Sequence, residues 1–559
     1  MRFFCFIIKV FRSYDYWDIL ISVGAFALIL AMILKMILFP YGVFNFGESN
    51  IYTEGIVSKT GFQNINPLFV DYNEADREVS NLVFSGLMKY DPNKRAIVDD
   101  MGVLTINEDK TEYSIQLREG LKWHDGEPLT VEDVYYTFHD VIMDPTFPNQ
   151  ILKANFAGVE VEQTDESTIL FKLESPNIFF ITNLTIGILP KHILKNTSPA
   201  NILQDNFNKM PIGSGPYMVT DAVEVFPTGR MQITLTRNPY YYGELSEIEF
   251  FRFISYPSME RLILDINSVN AVIKVPGKYL TDFENSDRFM LMSYELPQYT
   301  AVFMNMESEI LQEKNVRLAL QKSVYKDDLI EQFNDKKPVD TPLMALNQED
   351  WIYKPDVEEA QGALKDAGFS YGEDDTEHVG IRYDEDGKAL ELRFLVRLYD
   401  QGTTQFEESM KVVKFLQESW ENVGFDINVE FLLDDEFEEQ IMKRDYDLLL
   451  VGQSLGYNLD TYSYWHSSQA DPRGQNLSNY KSFRVDSLIE DIRAVFNKEK
   501  RERELNELAE QIKEDIPAIF LYRPVYFYAT DGKVSGVSMD GVVFPSDRFT
   551  NLGLWRFER

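Results

Sequence analysis

LREGLKWHDGEPLTVEDVYYTF, residues 117–138, sets His124 beside Asp125 between an alternating strand pattern and a capped helix. Upstream, Tyr113, Ile115 and Leu117 fall on one face of a strand and Ser114, Gln116 and Arg118 on the other. Asp125-Gly126 is a turn dipeptide, and Thr130 stands at a helix N-cap with Glu132 and Asp133 in the first turn, where the helix dipole favours acids. Val134, Phe138 and Val141 then recur at helical spacing. A tight turn points the His124 and Asp125 side chains apart. A catalytic pair also needs a nucleophile or a metal, and none is nearby in sequence. The stretch therefore reads as a strand, turn and helix of a scaffold.

A chain of 559 residues exceeds what one hydrophobic core usually serves, so two or three lobes are expected. The 44% hydrophobic, 14% aromatic and 26% charged content is that of a globular protein. With 54 Lys and Arg against 90 Asp and Glu, the formal net charge is −36. Such a surface repels phosphate backbones and anionic headgroups, which argues against nucleic-acid binding. Cys5 is the single cysteine, so an intrachain disulfide is excluded.

Ile19 to Phe39, ILISVGAFALILAMILKMILF, is an apolar run of twenty-one residues whose one charge, Lys35, lies near the far end. That length spans a bilayer, and the run lacks the polar face of a core helix. No convincing small-x-small cleavage site follows it, so an uncleaved anchor is expected. Arg2, Lys9 and Arg12 precede it, which places residues 1–18 in the cytoplasm and the bulk of the chain outside.

Further along, ALELRFLVRLYD reads as a strand, TTQFEESMKVVKFLQESWENVG as an amphipathic helix ended by Gly424, and FDINVEFLL as a strand. This βαβ rhythm predicts a parallel sheet, with ligands at its strand ends. The five histidines, His124, His139, His192, His378 and His466, are scattered singly without metal-ligand spacing. Neither a nucleophile elbow, a phosphate-binding loop nor a dinucleotide fingerprint is present. The acidic stretch GEDDTEHVGIRYDEDG (372–387) lacks the alternation of a calcium loop and reads as a solvated surface loop, with a hairpin turn at Asp386-Gly387. LDDEFEEQ (433–440) reads as a helix start.

The opening stretch resembles the hallmark region of family 5 extracellular solute-binding proteins, the peptide- and nickel-binding receptors of ABC importers. Similar pieces follow in the family's order: GFQNINPLFVDYNEADREVSNLVFSGLMKYD (61–91), GSGPYMV (213–219), TRNPYYYG (236–243), NVRLALQKSVYKDDLI (315–330), EEAQGALKDAGF (358–369), YDLLLVGQSLGYNLDTYSYWHSS (446–468) and ELAEQIKEDIPAIFLYRPVYFYA (507–529). The resemblance covers about residues 50 to 559 and implies an α/β, two-lobed clam-shell with an inserted subdomain, here preceded by the transmembrane helix. It implies a discontinuous lobe I (45–87, 205–301 and 525–559), an insertion at 88–204 and a lobe II at 302–524. Arg118, Asp125, Gly126, Gly215, Pro216, Tyr217 and Arg317 carry the likeness as structural residues.

The implied function is capture of a ligand between the lobes, most simply a peptide, by a monomer that delivers it to ABC permease subunits, without catalysis, metal or cofactor. The cleft segment corresponds to Val451–Asp460. In oligopeptide-binding relatives an aspartate in this segment pairs with the peptide ammonium; here Gly456 falls at that position, with Asp460 close by. A peptide held otherwise, a blocked peptide, a sugar or another polar metabolite therefore remain open. Gln453, Ser454, Tyr457, Asn458 and Asp460, with Asn64 and Asn66 from the first lobe and Tyr299 near the hinge, are the candidate polar contacts. Trp351 and Tyr464 are the candidate stacking platforms. An occupancy receptor that signals to a membrane sensor, and a secreted hydrolase, are the alternative functions.

Overall fold

The computed structural model describes residues 51–221, 223–372, 380–457 and 459–558. The expected cytoplasmic segment 1–18 and anchor 19–39 lie outside them; among the described residues no helix is long and apolar enough to cross a membrane.

The backbone of the fold is one mixed sheet. Its main strands are β1 (Ile51–Val57), β2 (Tyr217–Val219), β3 (Met231–Arg237), β4 (Phe250–Tyr256), β5 (Ala271–Val275), β6 (Gln298–Met304), β7 (Glu391–Arg397), β8 (Asp426–Leu432), β9 (Leu448–Ser454) and β10 (Ala518–Thr530). They lie in the order β8-β7-β9-β6-β10-β5-β1-β4-β3-β2. The predicted βαβ unit is present: β7 and β8 pair in parallel from Glu391↔Asp426 to Arg397↔Leu432, and helix α2 (Thr404–Glu421) connects them. Gly424 ends that connection at φ +108°, a conformation natural to glycine.

Strand β10 ties the sheet together. Its first half pairs with β6 and its second half with β5. Ala518, Ile519, Phe520, Leu521 and Tyr522 are buried, Arg523 to Phe527 only half-buried, and Tyr528 to Thr530 buried again. The cores divide at the same place. Tyr528 and Ala529 join the cores built around Tyr52, Trp123, Phe251 and Trp555 and around Ile254 and Phe283. Ile519 and Leu521 join a core with Val302, Phe394 and Trp420, while Ala518 and Phe520 join one with Phe303, Trp465 and Ile489. A second crossing runs from Leu296, in the first set of cores, to Tyr299, in the second. Two half-buried strand connections between separately packed cores make a natural hinge.

The second half is covered on both faces, as parallel strands require. The α2 side chains Val412, Leu416 and Trp420 pack on one face. Helices α3 (Phe483–Ala494) and α4 (Lys498–Asp515) pack Leu488, Ile489, Leu508 and Ile512 on the other. A separate four-stranded antiparallel sheet carries the opening stretch: Gly102–Ile106, Glu112–Leu117, Thr168–Leu173 and Val159–Gln163, neighbours in that order.

In that stretch Tyr113, Ile115 and Leu117 are buried. Thr130 caps the helix, its backbone N–H donating to Asp133 Oδ2 at 2.9 Å. Beyond Tyr135 the helix widens into a π-helical segment, Tyr136–Ile142, that buries Phe138 and Val141. His124 and Asp125 do point apart. His124 Nδ1 accepts the Gly213 N–H at 3.1 Å, so its Nε2 carries the proton and donates to the Gly215 carbonyl at 3.2 Å. Burial pushes its pKa down to about 4. Asp125 Oδ2 instead meets His192 Nε2 at 3.0 Å.

GSGPY has an equally structural explanation. Gly215 N–H caps the Val83 carbonyl at 2.8 Å, at the end of helix α1 (Glu74–Val83). A methyl group on Gly213 would overlap the Val83 carbonyl oxygen. The hairpin turn at Asp386-Gly387 is formed, Gly387 N–H donating to the Asp384 carbonyl at 3.1 Å. Residues 373–379 of the acidic stretch, with His378, are outside the described residues. LDDEFEEQ opens a helix, Asp434–Lys443.

Candidate ligand-binding cleft

A cavity of about 1460 Å³ opens between the two halves. Helix α1 supplies one wall. Asn73 caps it by accepting the Ala75 N–H at 3.0 Å, and its periodicity turns Val79, Leu82 and Val83 into the core. Arg77, Ser80 and Asn81 face the cavity. The Arg77 guanidinium pairs with Asp71 and lies 4.3 Å from the Phe544 ring centre. Glu78 points the other way, 2.7 Å from Arg548, which also pairs with Glu54; all three are fully buried.

The residues around the separate sheet supply the rim, among them Ile151, Glu174, Asn177, Phe179 and Asn183. The opposite wall is the segment that leaves β9, together with α3, which contributes Glu490, Asp491 and Arg493. Gly456 lies at φ +70° on this wall with no atom within 4 Å of where a side chain would start. Next to it Tyr457 reaches across to the first half. Its hydroxyl donates to Asp547 Oδ1 at 2.7 Å, and its ring stacks on Tyr90 at 4.9 Å and meets Phe544 edge-on at 5.0 Å. Burial raises Asp547 to about 6, against the N–H groups of Phe544 and Val543 that stabilise its charge.

Asp460 lines the cavity with its charge engaged: Oδ2 is 3.3 Å from Arg493 Nε, and Oδ1 accepts the Tyr462 N–H at 3.0 Å. Burial raises its pKa, with Arg493 opposing. The Tyr464 hydroxyl donates to the Ser454 carbonyl at 2.5 Å, and burial with the nearby Asp460 charge pushes it up to about 12.

Of the residues expected from sequence, the structure brings Ser454, Tyr457, Asp460 and Tyr464 together on the cavity wall. Asn458 lies outside the described residues. The other five are off the wall. Tyr299 and Gln453 are opposite each other on β6 and β9, where the buried Tyr299 hydroxyl donates to Gln453 Oε1. Asn66 is fully buried, bonding Asn208 at 2.8 Å and accepting the Leu68 N–H at 3.0 Å. Asn64 donates to the Leu203 carbonyl at 3.3 Å. Trp351 is a core residue with Lys513 5.8 Å from its ring centre. Arg77, Asn81, Glu174, Glu490, Asp491 and Arg493 were not expected. Their only sequence signal is a place on the polar face of an amphipathic helix or at a strand end, which any solvated surface shares. Among the described residues no group of three or more His, Cys, Asp or Glu side chains is placed to hold a metal.

Comparison with known proteins places this architecture. The profile described as bacterial extracellular solute-binding proteins, family 5 Middle, matches residues 97–475. The oligopeptide-binding protein AppA of Bacillus subtilis is 26% identical over 476 residues, 81% of this chain and 82% of AppA. The structure of AppA with a nonapeptide superposes with a TM-score of 0.73 at 22% identity, covering 91% of this chain and 99% of that one. NikZ from Campylobacter jejuni, in complex with Ni(L-His), superposes with a TM-score of 0.72 at 25% identity, covering 91% of this chain and all of NikZ (100%).

Proposed function

Because the chain belongs to the bacterial extracellular solute-binding proteins of family 5, a family of extracytoplasmic, two-lobed receptors rather than enzymes, we propose that its ligand is a peptide of several residues. The observation that carries this reading is the size of the cleft. At about 1460 Å³ it exceeds the roughly 300–1,000 Å³ of ordinary small-ligand sites and runs between both halves. Its walls offer backbone and side-chain polar groups along their length, which suits an extended chain. The nonapeptide held by AppA, a relative of the same architecture, supports the same class. Gly456 leaves the position of the family's implied ammonium anchor without a side chain, and Asp460 is already paired with Arg493. The ligand amine is therefore met elsewhere or not at all.

Ser454, Tyr457, Asp460 and Tyr464 are the contacts we assign from the sequence-expected set, joined by Arg77 and Asn81. We assign residues 45–87, 205–301 and 525–559 to lobe I, 88–204 to its insertion and 302–524 to lobe II; the division of the cores along β10 supports this. The monomeric receptor hands its cargo to ABC permease subunits. The apolar run 19–39 and the preceding Arg2, Lys9 and Arg12 support a membrane tether that keeps it near that partner. Release of the full-length chain from membranes by alkaline carbonate would remove the tether.

Native mass spectrometry of the gently purified full-length chain tests the ligand. A ladder of bound peptide masses that vanishes after unfolding and refolding is expected. A single non-peptide mass would overturn the assignment.

A further inference from the structure

Among the described residues, the charged side chains on the cleft wall are five carboxylates, Asp71, Glu174, Asp460, Glu490 and Asp491, and two guanidinium groups, Arg77 and Arg493. Both guanidinium groups are already matched, Arg77 by Asp71 and Arg493 by Asp460. Glu490 lies 3.3 Å from His466 Nε2. Glu174 and Asp491 are left without an ion pair among the described residues.

These two approach the cavity from different parts of the fold. Glu174 follows the strand Thr168–Leu173, and its carboxyl carbon lies 3.0 Å from where a methyl group on Gly158 would sit, so that glycine makes room for it. Asp491 is on the exposed face of α3. An anion entering the cleft meets an excess of negative charge with no free guanidinium to receive it. A cation meets two carboxylates whose charge is not yet used. The net charge of −36 extends the same preference beyond the cleft, since it draws cations toward the protein and repels anions.

We infer that this cleft selects cationic over anionic ligands, with Glu174 and Asp491 as the residues that meet the ligand's positive groups. The inference rests on the peptide reading above and specifies which peptides. Repulsion of acidic ligands contributes to the selection as much as attraction of basic ones.

The test is equilibrium binding of the full-length chain to three nonapeptides, acetylated and amidated to remove terminal charge, carrying three lysines, three glutamates or no charge. At about 20 mM salt the lysine peptide should bind at least roughly tenfold more tightly than the glutamate peptide. At about 200 mM salt that gap should narrow. The double variant Glu174→Gln with Asp491→Asn should lose most of the preference for the lysine peptide over the glutamate peptide. Equal affinities for the three peptides would overturn the inference, as would a preference undiminished in the double variant. Failure of all three to bind is a different outcome: it would overturn the peptide reading and this inference with it.

Discussion

Removing the hydroxyl of Tyr299 should damage the fold and spare the site. Gln453 Oε1, buried on the neighbouring strand, would lose the proton it accepts. Tyr299→Phe should therefore cost about 1–3 kcal/mol in a urea titration, with ligand affinity unchanged. A loss of affinity without loss of stability would contradict the placement of this pair in the core. The period of two along β9 carried this information: Gln453 falls on the same face as Leu449 and Val451, both packed in the core that contains Tyr299, whereas Ser454, on the other face, is exposed. Asn66 lies outside any strand, so no period placed it; its side chain accepts the N–H two residues on, a local turn contact that asparagine commonly makes. Tyr457 and Asp460, from the same quoted segment, reach the cleft because the strand has ended and Gly456 turns the chain.

At the scale of the element, helix α1 shows what a helical pattern reveals and what it conceals. Its apolar stripe, Val79, Leu82 and Val83, marks the buried face. That Asp76 and Glu78 lie on the buried side as well was not legible, because their partners, the N–H groups of Gln63 and Asn64 and the distant Arg548, are brought to them only by the tertiary fold. Burial raises Asp76 to about 6 and Glu78 to about 7, as it raises Asp547 at the cleft. Each binds its proton more tightly folded than unfolded, so the stability it contributes is present at low pH and lost as the pH rises through those values. His124 acts oppositely: its lowered pKa removes stability as the pH falls from about 6.5, the value expected unfolded. Three carboxylates outweigh one imidazole, so the urea midpoint should be higher at about pH 6 than at about pH 7.5. A midpoint that rises with pH across that range would contradict the burial of these groups. By contrast the β7-α2-β8 unit was readable to within a few residues at each element's ends, because strand alternation, helix period and the terminating Gly424 agree.

For the whole molecule, the alternation of strand and helix and the ordered motifs were enough to expect two α/β lobes, and the structure adds how they are joined. Strand β10 passes through both, and Tyr457 spans the cleft to Asp547, Tyr90 and Phe544. That contact uses protein groups alone. Tyr457→Ala should therefore shift the unliganded chain toward open forms, seen as a larger radius of gyration in X-ray scattering; superimposable curves would show that the contact does not hold the lobes. The cleft's polar wall was only partly legible, since half of it comes from helix faces that look like any solvated surface. Hydrogen–deuterium exchange of the full-length chain, with and without saturating peptide recovered from the native protein, tests the central claim most directly. Capture between two lobes predicts simultaneous slowing of exchange in 71–81, 174–183 and 454–464; protection confined to one lobe, or lying outside the cleft, would contradict it.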